Sequence, residues 1–272
     1  MNVTESDKLF AGSIPQLYEQ YLVPLIFAPY AKDLAQRMAA HPVERVLEIA
    51  AGTGVLTRSL ASVLPEAVAI TATDLNQPML DLAASLGTSR PVEWRHADAL
   101  NLPFAGRMFD AVACQFGIMF MPDKVKAFSE VKRVLKPGGV LLFSVWDRIE
   151  YNELADVVTD AVASLFPDDP PQFLARTPHG YHDRAKIESD LAEGGFANKP
   201  SIVTRAARSP ARTARDPAVA YCEGTPLRNE IEERDASRLS EATDEAARAV
   251  EERFGPGPID AKIQAHIVTI QA

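Results

Sequence analysis

The run Val46-Leu47-Glu48-Ile49-Ala50-Ala51-Gly52-Thr53-Gly54 constrains the fold of this chain more than any other feature. Val46 to Ile49 is a short apolar stretch, and Val55, Leu56, Leu60, Val63 and Leu64 recur at helical spacing behind it. The two glycines therefore fall in a strand-to-helix turn. Lacking a Cβ, Gly52 and Gly54 permit unusual φ values and let a nucleoside ligand lie against the main chain near a helix N-terminus. A loop that merely turns needs glycine too, so the partners of the motif decide what it is for.

The first partner is Asp74, which ends a second apolar strand over Ala69 to Thr73. A carboxylate only accepts hydrogen bonds, which suits the two hydroxyls of a ribose and repels a 2′-phosphate. Asn76, Pro78 and Met79 open the next helix, with Met79 placed to cover an apolar or purine face. After a third strand, Val92 to Arg95, comes Asp98, which either accepts from an exocyclic adenine amine or caps its own loop.

A fourth strand, Phe109 to Gln115, and the segment Glu130 to Trp146 extend the pattern. Within that segment Val134-Leu135-Lys136-Pro137-Gly138-Gly139 predicts a helix stopped by Pro137 and Gly138, then a tight turn into a buried strand. With Glu48 to Gly54, Asp74 and Asp98-Ala99, these segments resemble the class I S-adenosylmethionine-dependent methyltransferases (type 11), in the branch that includes the quinone-biosynthesis C-methyltransferases. The resemblance covers Val46 to Asp147. It implies an α/β fold: a doubly wound, seven-stranded Rossmann-like sheet, mostly parallel with an antiparallel last strand, plus a helical cap insertion. It also implies S-adenosylmethionine as cofactor and S-adenosylhomocysteine as product. Glu48 would orient the loop and the cofactor's ammonium, Asp74 would hold the ribose, and Asp98 and Ala99 would frame the adenine. Gln115 and Phe116 would border the methionine portion, and Ala50, Gly52, Gly54, Leu75 and Met79 complete the expected cofactor contacts. Many family members have glycine at the position of Ala50, so either the turn there does without a positive φ or the loop sits farther from the cofactor.

The chain has 272 residues, 47% of them hydrophobic, enough for one α/β core with an insertion. We expect an N-terminal helical lid over residues 1–41 and a cofactor-binding core over 42–147. A sixth strand with helical cap insertions over 148–258 and a closing strand over 259–272 follow. Pro24 and Pro29 are expected to interrupt the lid helix, in which Tyr18, Tyr21, Leu22, Leu25 and Ile26 share a helical spacing; a helix packed on the sheet edge is the plainer alternative. The sixth strand is expected over Phe196 to Ala206 and the seventh over Ile259 to Ile270. Asp216-Pro217 should start one helix, and Asp235 to Phe254 should form another with a charged face.

A formal net charge of −9 disfavours a nucleic-acid substrate despite the local Arg205, Arg208, Arg212 and Arg215. Cys114 and Cys222 offer no disulfide framework, which points to the reducing cytoplasm. The N-terminal residues carry no signal-peptide pattern, and the apolar Tyr21 to Tyr30 stretch is too short and too broken to span a membrane. No spacing of His and Cys suggests a metal site.

Methyl transfer from a sulfonium releases a neutral leaving group, so alignment and water exclusion supply most of the catalysis. A base matters when the acceptor carries a proton, and His179, His182, Tyr18 and Tyr21 are the candidates. Their plainer readings are surface loop residues for the histidines and packing for the tyrosines. Phe116, Met119, Phe120 and Met121 suggest a small, partly apolar acceptor, and such residues also build cores. Two alternatives share the glycine loop. A nicotinamide-dependent Rossmann enzyme calls for a Tyr-x-x-x-Lys pair or a third loop glycine, and neither stands in its place. A non-catalytic S-adenosylmethionine-binding protein would bind the product without transferring a methyl group.

Overall fold

The computed structural model describes residue 4 and residues 6–272. Helical backbone opens with α1 (Ile14–Leu17), a π-helix over Tyr18–Phe27, and α2 (Ala28–Met38). Strands and helices then alternate: β1 (Arg45–Glu48), α3 (Val55–Val63), β2 (Ala69–Asp74), α4 (Gln77–Leu86), β3 (Glu93–His96), β4 (Phe109–Gln115), α5 (Lys124–Val134) and β5 (Leu135–Trp146). Three helices follow, α6 (Glu153–Leu165), α7 (Phe173–Arg176) and α8 (Arg184–Glu193), before β6 (Ser201–Ala211). The chain closes with α9 (Arg215–Cys222), α10 (Leu227–Asp235), α11 (Leu239–Phe254) and β7 (Ile259–Gln271).

The strands form one sheet in the order β3-β2-β1-β4-β5-β7-β6. β1 pairs in parallel with β2 and β4, β2 with β3, and β4 with β5. β7 runs antiparallel to β5. Near one end Ala272 N–H donates to the Gly139 carbonyl, and near the other Asp147 N–H donates to that of Gln264. The inner strands are buried along nearly their whole length, as parallel strands covered by helices must be. β7 instead starts with clean alternation, burying Ile259, Ala261 and Ile263.

By its internal packing the chain divides into two compact units. The first comprises the described residues up to Phe27, Trp146–Gly180 and Ala206–Ala265; the second comprises Ala28–Val145, Tyr181–Arg205 and His266–Ala272. In the first unit α11 packs on α6 and α9 through Ala242, Ala246 and Val250, one stripe of an otherwise charged helix. In the second, α2 packs on α3, burying Leu34, Met38, Leu56 and Leu60, each worth about 1.5–3 kcal/mol of transfer free energy.

Several local expectations are corrected. Pro24 and Pro29 do not end a helix: Pro24 lies inside the π-helix and Pro29 in the first turn of α2. A π-turn bonds to the fifth preceding carbonyl, so the fourth is not held against the proline ring. Helix α5 ends at Val134, before Pro137, and Pro137 to Gly139 form an irregularity inside β5, where the register jumps from Phe109↔Leu135 to Ala111↔Val140. The sixth strand begins at Ser201. Phe196 caps α8 instead, its N–H donating to the Leu191 carbonyl and its ring lying under the Lys132 ammonium. Asp216 sits inside the first turn of α9, and its carboxylate accepts from the N–H groups of Arg212 and Thr213. Asp235 caps only a 3₁₀ turn before α11, and α10 lies in a stretch that periodicity had left without a helix.

Candidate active site

The site in the second unit is built where β1, β2 and β4 end together. Parallel pairing aligns Glu48 with Ala72 of β2 and Ala113 of β4, so the loop after Glu48 leaves between two neighbours. Backbone hydrogen bonds fasten it to both: Ile49 N–H donates to the Ala113 carbonyl and Ala51 N–H to that of Thr73. Gly52 and Gly54 take φ values of 56° and 84°. A Cβ on Gly54 would come within 2.9 Å of the Trp94 ring and 3.2 Å of Ala83, so this glycine is required by close packing as well as by its dihedral. Ala50 also adopts a positive φ, 53°, which settles that the turn does need the left-handed conformation there. Its methyl group lies where a side chain on residue 117 would stand, and Gly117 leaves that space.

Asp74 accepts from Gly52 N–H at 2.8 Å through one oxygen and from Asn76 N–H at 2.7 Å through the other. It thus fixes the loop as well as facing the site, and burial pushes its pKa upward. Glu48 is 1% exposed and accepts from the Thr57 hydroxyl at 2.6 Å. Burial, reinforced by repulsion from Asp74, pushes its carboxyl up to about 8. Among the described residues neither carboxylate has an ion-pair partner. The Thr53 hydroxyl in the same loop is buried with no hydrogen-bond partner.

Around this centre, Leu75 is exposed and its carbonyl lies 2.8 Å from His96 Nε2. Met79 is buried beneath the first turn of α4. Asp98 is exposed and caps its own loop, accepting from Leu100 N–H at 2.8 Å, with Ala99 half-buried beside it. Gln115 is half-buried at the end of β4, and Phe116 follows it with a φ of 53° and its N–H on the Ser144 carbonyl. The Tyr30 ring meets Phe116 edge-on at 5.3 Å, and its hydroxyl donates to the Arg205 carbonyl.

In the first unit the structure joins two catalytic candidates through a row of rings. Phe10 meets Tyr18 edge-on at 6.1 Å, Tyr18 stacks on Phe27 at 4.9 Å, and Phe27 and Trp146 lie 6.1 Å apart. Trp146 in turn lies 6.0 Å from the His179 ring. His179 Nδ1 is 2.9 Å from the Asp147 carbonyl, which can only accept, so Nδ1 carries the proton. Tyr21 is half-buried outside this row. His182 belongs to the second unit, half-buried, and the Asp183 beside it caps α8 by accepting from the N–H groups of Ala185 and Lys186.

The chain matches the methyltransferase domain family over residues 47–143, the span that contains the loop, Asp74 and Gln115. The chain is a class I S-adenosylmethionine-dependent methyltransferase. This methyltransferase is 28% identical over 201 residues to the ubiquinone/menaquinone biosynthesis C-methyltransferase UbiE of Ectopseudomonas mendocina, covering 69% of this chain and 74% of that one. To the protein of the same name from Pseudomonas savastanoi pv. phaseolicola it is 32% identical over 166 residues, covering 56% of this chain and 64% of the relative, under two thirds of its length. In fold it resembles the Haemonchus contortus phosphoethanolamine N-methyltransferase 2 solved with S-adenosylhomocysteine, with a TM-score of 0.57, 18% identity, and coverage of 94% of this chain and 56% of that one.

The residues of the methyltransferase fit its cofactor. A donor that is cationic at sulfur and nitrogen suits two buried carboxylates without a counter-cation, and Thr53 offers a hydroxyl with no internal partner. Sequence reasoning missed Thr57, Thr53 and Tyr30. A threonine one helical turn behind the loop, on the buried stripe with Leu56, Leu60 and Ala61, is the signal that was available for Thr57.

Proposed function

We propose that this methyltransferase methylates a carbon atom of a small, planar, partly apolar acceptor of the quinol class, without a metal ion. The observation that carries this reading is the row of rings from Phe10 to His179 in the first unit. Aromatic faces favour a planar, electron-rich ring over an aliphatic amine or a polyanion. The C-methyltransferase names of the relatives support the same acceptor class. The two buried thiols fit a reducing cytoplasm, and the net charge of −9 argues against nucleic acid. Among the described residues no helix is long and apolar enough to cross a membrane, and no group of three His, Cys, Asp or Glu side chains stands ready for a metal.

S-adenosylmethionine, when bound, supplies an electrophilic methyl group on a leaving group that departs neutral. The chain's own residues then have three tasks. Glu48 and Asp74 hold the ammonium and the ribose, with Gly52, Gly54 and Thr53 lying against the donor. Leu75, Met79, Asp98 and Ala99 surround the adenosine, and Gln115 and Phe116 border the methionine end beside Ala50. His179 takes the acceptor's hydroxyl proton at Nε2, because its Nδ1 proton is committed to the Asp147 carbonyl; the negative charge left on the acceptor raises the nucleophilicity of its ring carbon, which after methylation loses its own proton as the hydroxyl is restored. Tyr18 lines the acceptor, and Tyr21 is the alternative proton acceptor.

The test is a transfer assay with methyl-labelled S-adenosylmethionine against a hydroquinone with an open ring carbon, a catechol and a primary amine, with and without chelator. A carbon–methyl product that survives chelation is expected, and His179→Asn should lower kcat by about 10²–10⁴. Labelling confined to oxygen or nitrogen, or lost on chelation, would refute the proposal.

A further inference from the structure

We infer that Glu48 and Asp74 form a proton-for-cation exchanger: Glu48 holds a proton until the cofactor's ammonium arrives, then releases that proton to solvent. This rests on the cofactor reading of the loop. Glu48 is buried at the end of β1, and the groups facing it come from three elements. α3 supplies the Thr57 hydroxyl, 2.6 Å away, and Arg58, whose Nη1 donates to the Thr53 carbonyl. β2 supplies Asp74, and β4 supplies Cys114, a thiol pushed up to about 12 and therefore neutral.

Two carboxylates in one buried site do not both ionise unless cations offset both, and Arg58 offsets the burial of Glu48 only in part, so one retains a proton. Asp74 has the stronger claim to the negative charge. It accepts from two backbone N–H groups, whereas Glu48 has one hydroxyl donor. The protonated member is therefore Glu48 on the count of its hydrogen bonds, since burial raises both carboxyls, that of Glu48 to about 8. An ammonium beside Glu48 reverses the balance: the proton leaves the carboxyl for bulk water, no covalent bond changes, and the net charge of the site is the same before and after. Exchange of this kind removes the penalty of opening a site with two bare buried charges.

The experiment is isothermal titration of the full chain with S-adenosylhomocysteine, which keeps the ammonium. Between about pH 6 and 7.5 the affinity should rise nearly tenfold per pH unit, the slope for release of one proton. Near pH 7 the heat should differ between phosphate and Tris in proportion to about 0.9 proton per ligand. 5′-Methylthioadenosine, which lacks the amino-acid portion, should release none. Glu48→Gln should bind S-adenosylhomocysteine more weakly and without the slope. Thr57→Val, which removes the hydroxyl donor at nearly constant volume, should move the upper end of the slope to higher pH, a shift that lost packing would not produce. S-adenosylhomocysteine binding that is independent of pH and buffer, or equal proton release with methylthioadenosine, would overturn the exchange while leaving the cofactor reading standing. No binding at any pH would overturn the cofactor reading itself, and the exchange with it.

Discussion

In the first unit Asp7, 1% exposed, receives both guanidinium nitrogens of Arg176 at 2.6 and 2.8 Å; in the second, Glu48 is equally buried and makes no ion pair, Arg58 acting on it only from a distance. Arg176 also binds Glu230, whose second oxygen accepts from the backbone N–H groups of Gln172 and Phe173. The outcomes diverge accordingly. Hydrogen bonds and the charge of Arg176 outweigh desolvation and hold the Asp7 carboxyl below its ordinary value, whereas desolvation prevails at Glu48. Backbone strain is divided in the same way, because among the described residues the non-glycine residues with positive φ, Ala50, Arg107 and Phe116, all belong to the second unit. A buried charge already paired within the fold stabilises structure, and one left without a counter-charge is available to a ligand.

The contrast can be broken most strongly at Arg176. Arg176→Met leaves Asp7 buried without its cation and Glu230 with only Arg234, 4.0 Å away, and should destabilise the protein by about 3 kcal/mol in urea unfolding. Glu48→Gln, also the loss of a buried charge, should leave stability unchanged or improved above pH 8, where the wild-type carboxyl ionises. A comparable loss from both substitutions would erase the distinction between the units.

Asp74 comes next. Asp74→Asn should weaken S-adenosylhomocysteine binding by about 2 kcal/mol, roughly thirtyfold, and destabilise the apo protein by about 1 kcal/mol because one acceptor of the Gly52 and Asn76 N–H groups is replaced. Affinity unaltered by this change would remove Asp74 from the ribose site.

More diagnostic is the pH dependence of stability. The folded pKa of Glu48 lies above its ordinary 4.5, so its contribution is fully present below that value and is lost as pH rises through about 8. Asp7 has the opposite sign: its folded pKa lies below its ordinary 3.8, so its contribution is present above that value and is lost as pH falls through the lowered one. Thermal melts of the apo protein should therefore show a decline between about pH 4.5 and 8 that levels off above, which Glu48→Gln removes and Arg176→Met leaves in place. A decline that persists in Glu48→Gln would place the responsible group elsewhere.

The smallest effect concerns strain. Ala50→Gly relieves a left-handed alanine but adds chain entropy to the unfolded state, and the net should be a gain below about 1 kcal/mol in urea unfolding. A loss would mean that the Ala50 methyl group packed against Gly117 outweighs the dihedral.

Much of the second unit was legible because its signals are local. Apolar runs marked β1 and β2, the helical spacing marked α3, the glycines marked the turn between strand and helix, and β4 came with the motifs that carry the family resemblance. The failures came where local rules met longer-range packing. Pro24 and Pro29 read as breaks, yet a π-turn and a first-turn position absorb them. Phe196 read as the start of a strand because it is apolar, but it is buried as the cap of α8. Tyr30 carried no motif, and its importance comes from meeting Phe116 and Arg205, residues distant in the chain.

The sequence by itself determined the strand-turn-helix of a nucleoside-binding core, because apolar runs, helix period and glycine placement act within a few residues of one another, and its motifs carried the resemblance to the methyltransferases. Only the tertiary structure decided which buried carboxylates are charged. Asp7 meets Arg176 across 169 residues, and Glu48 meets Thr57 and Asp74 only after three elements have closed over it. The ionisation of a carboxyl depends on the water and charges within a few ångströms, and no local pattern of residues specifies those.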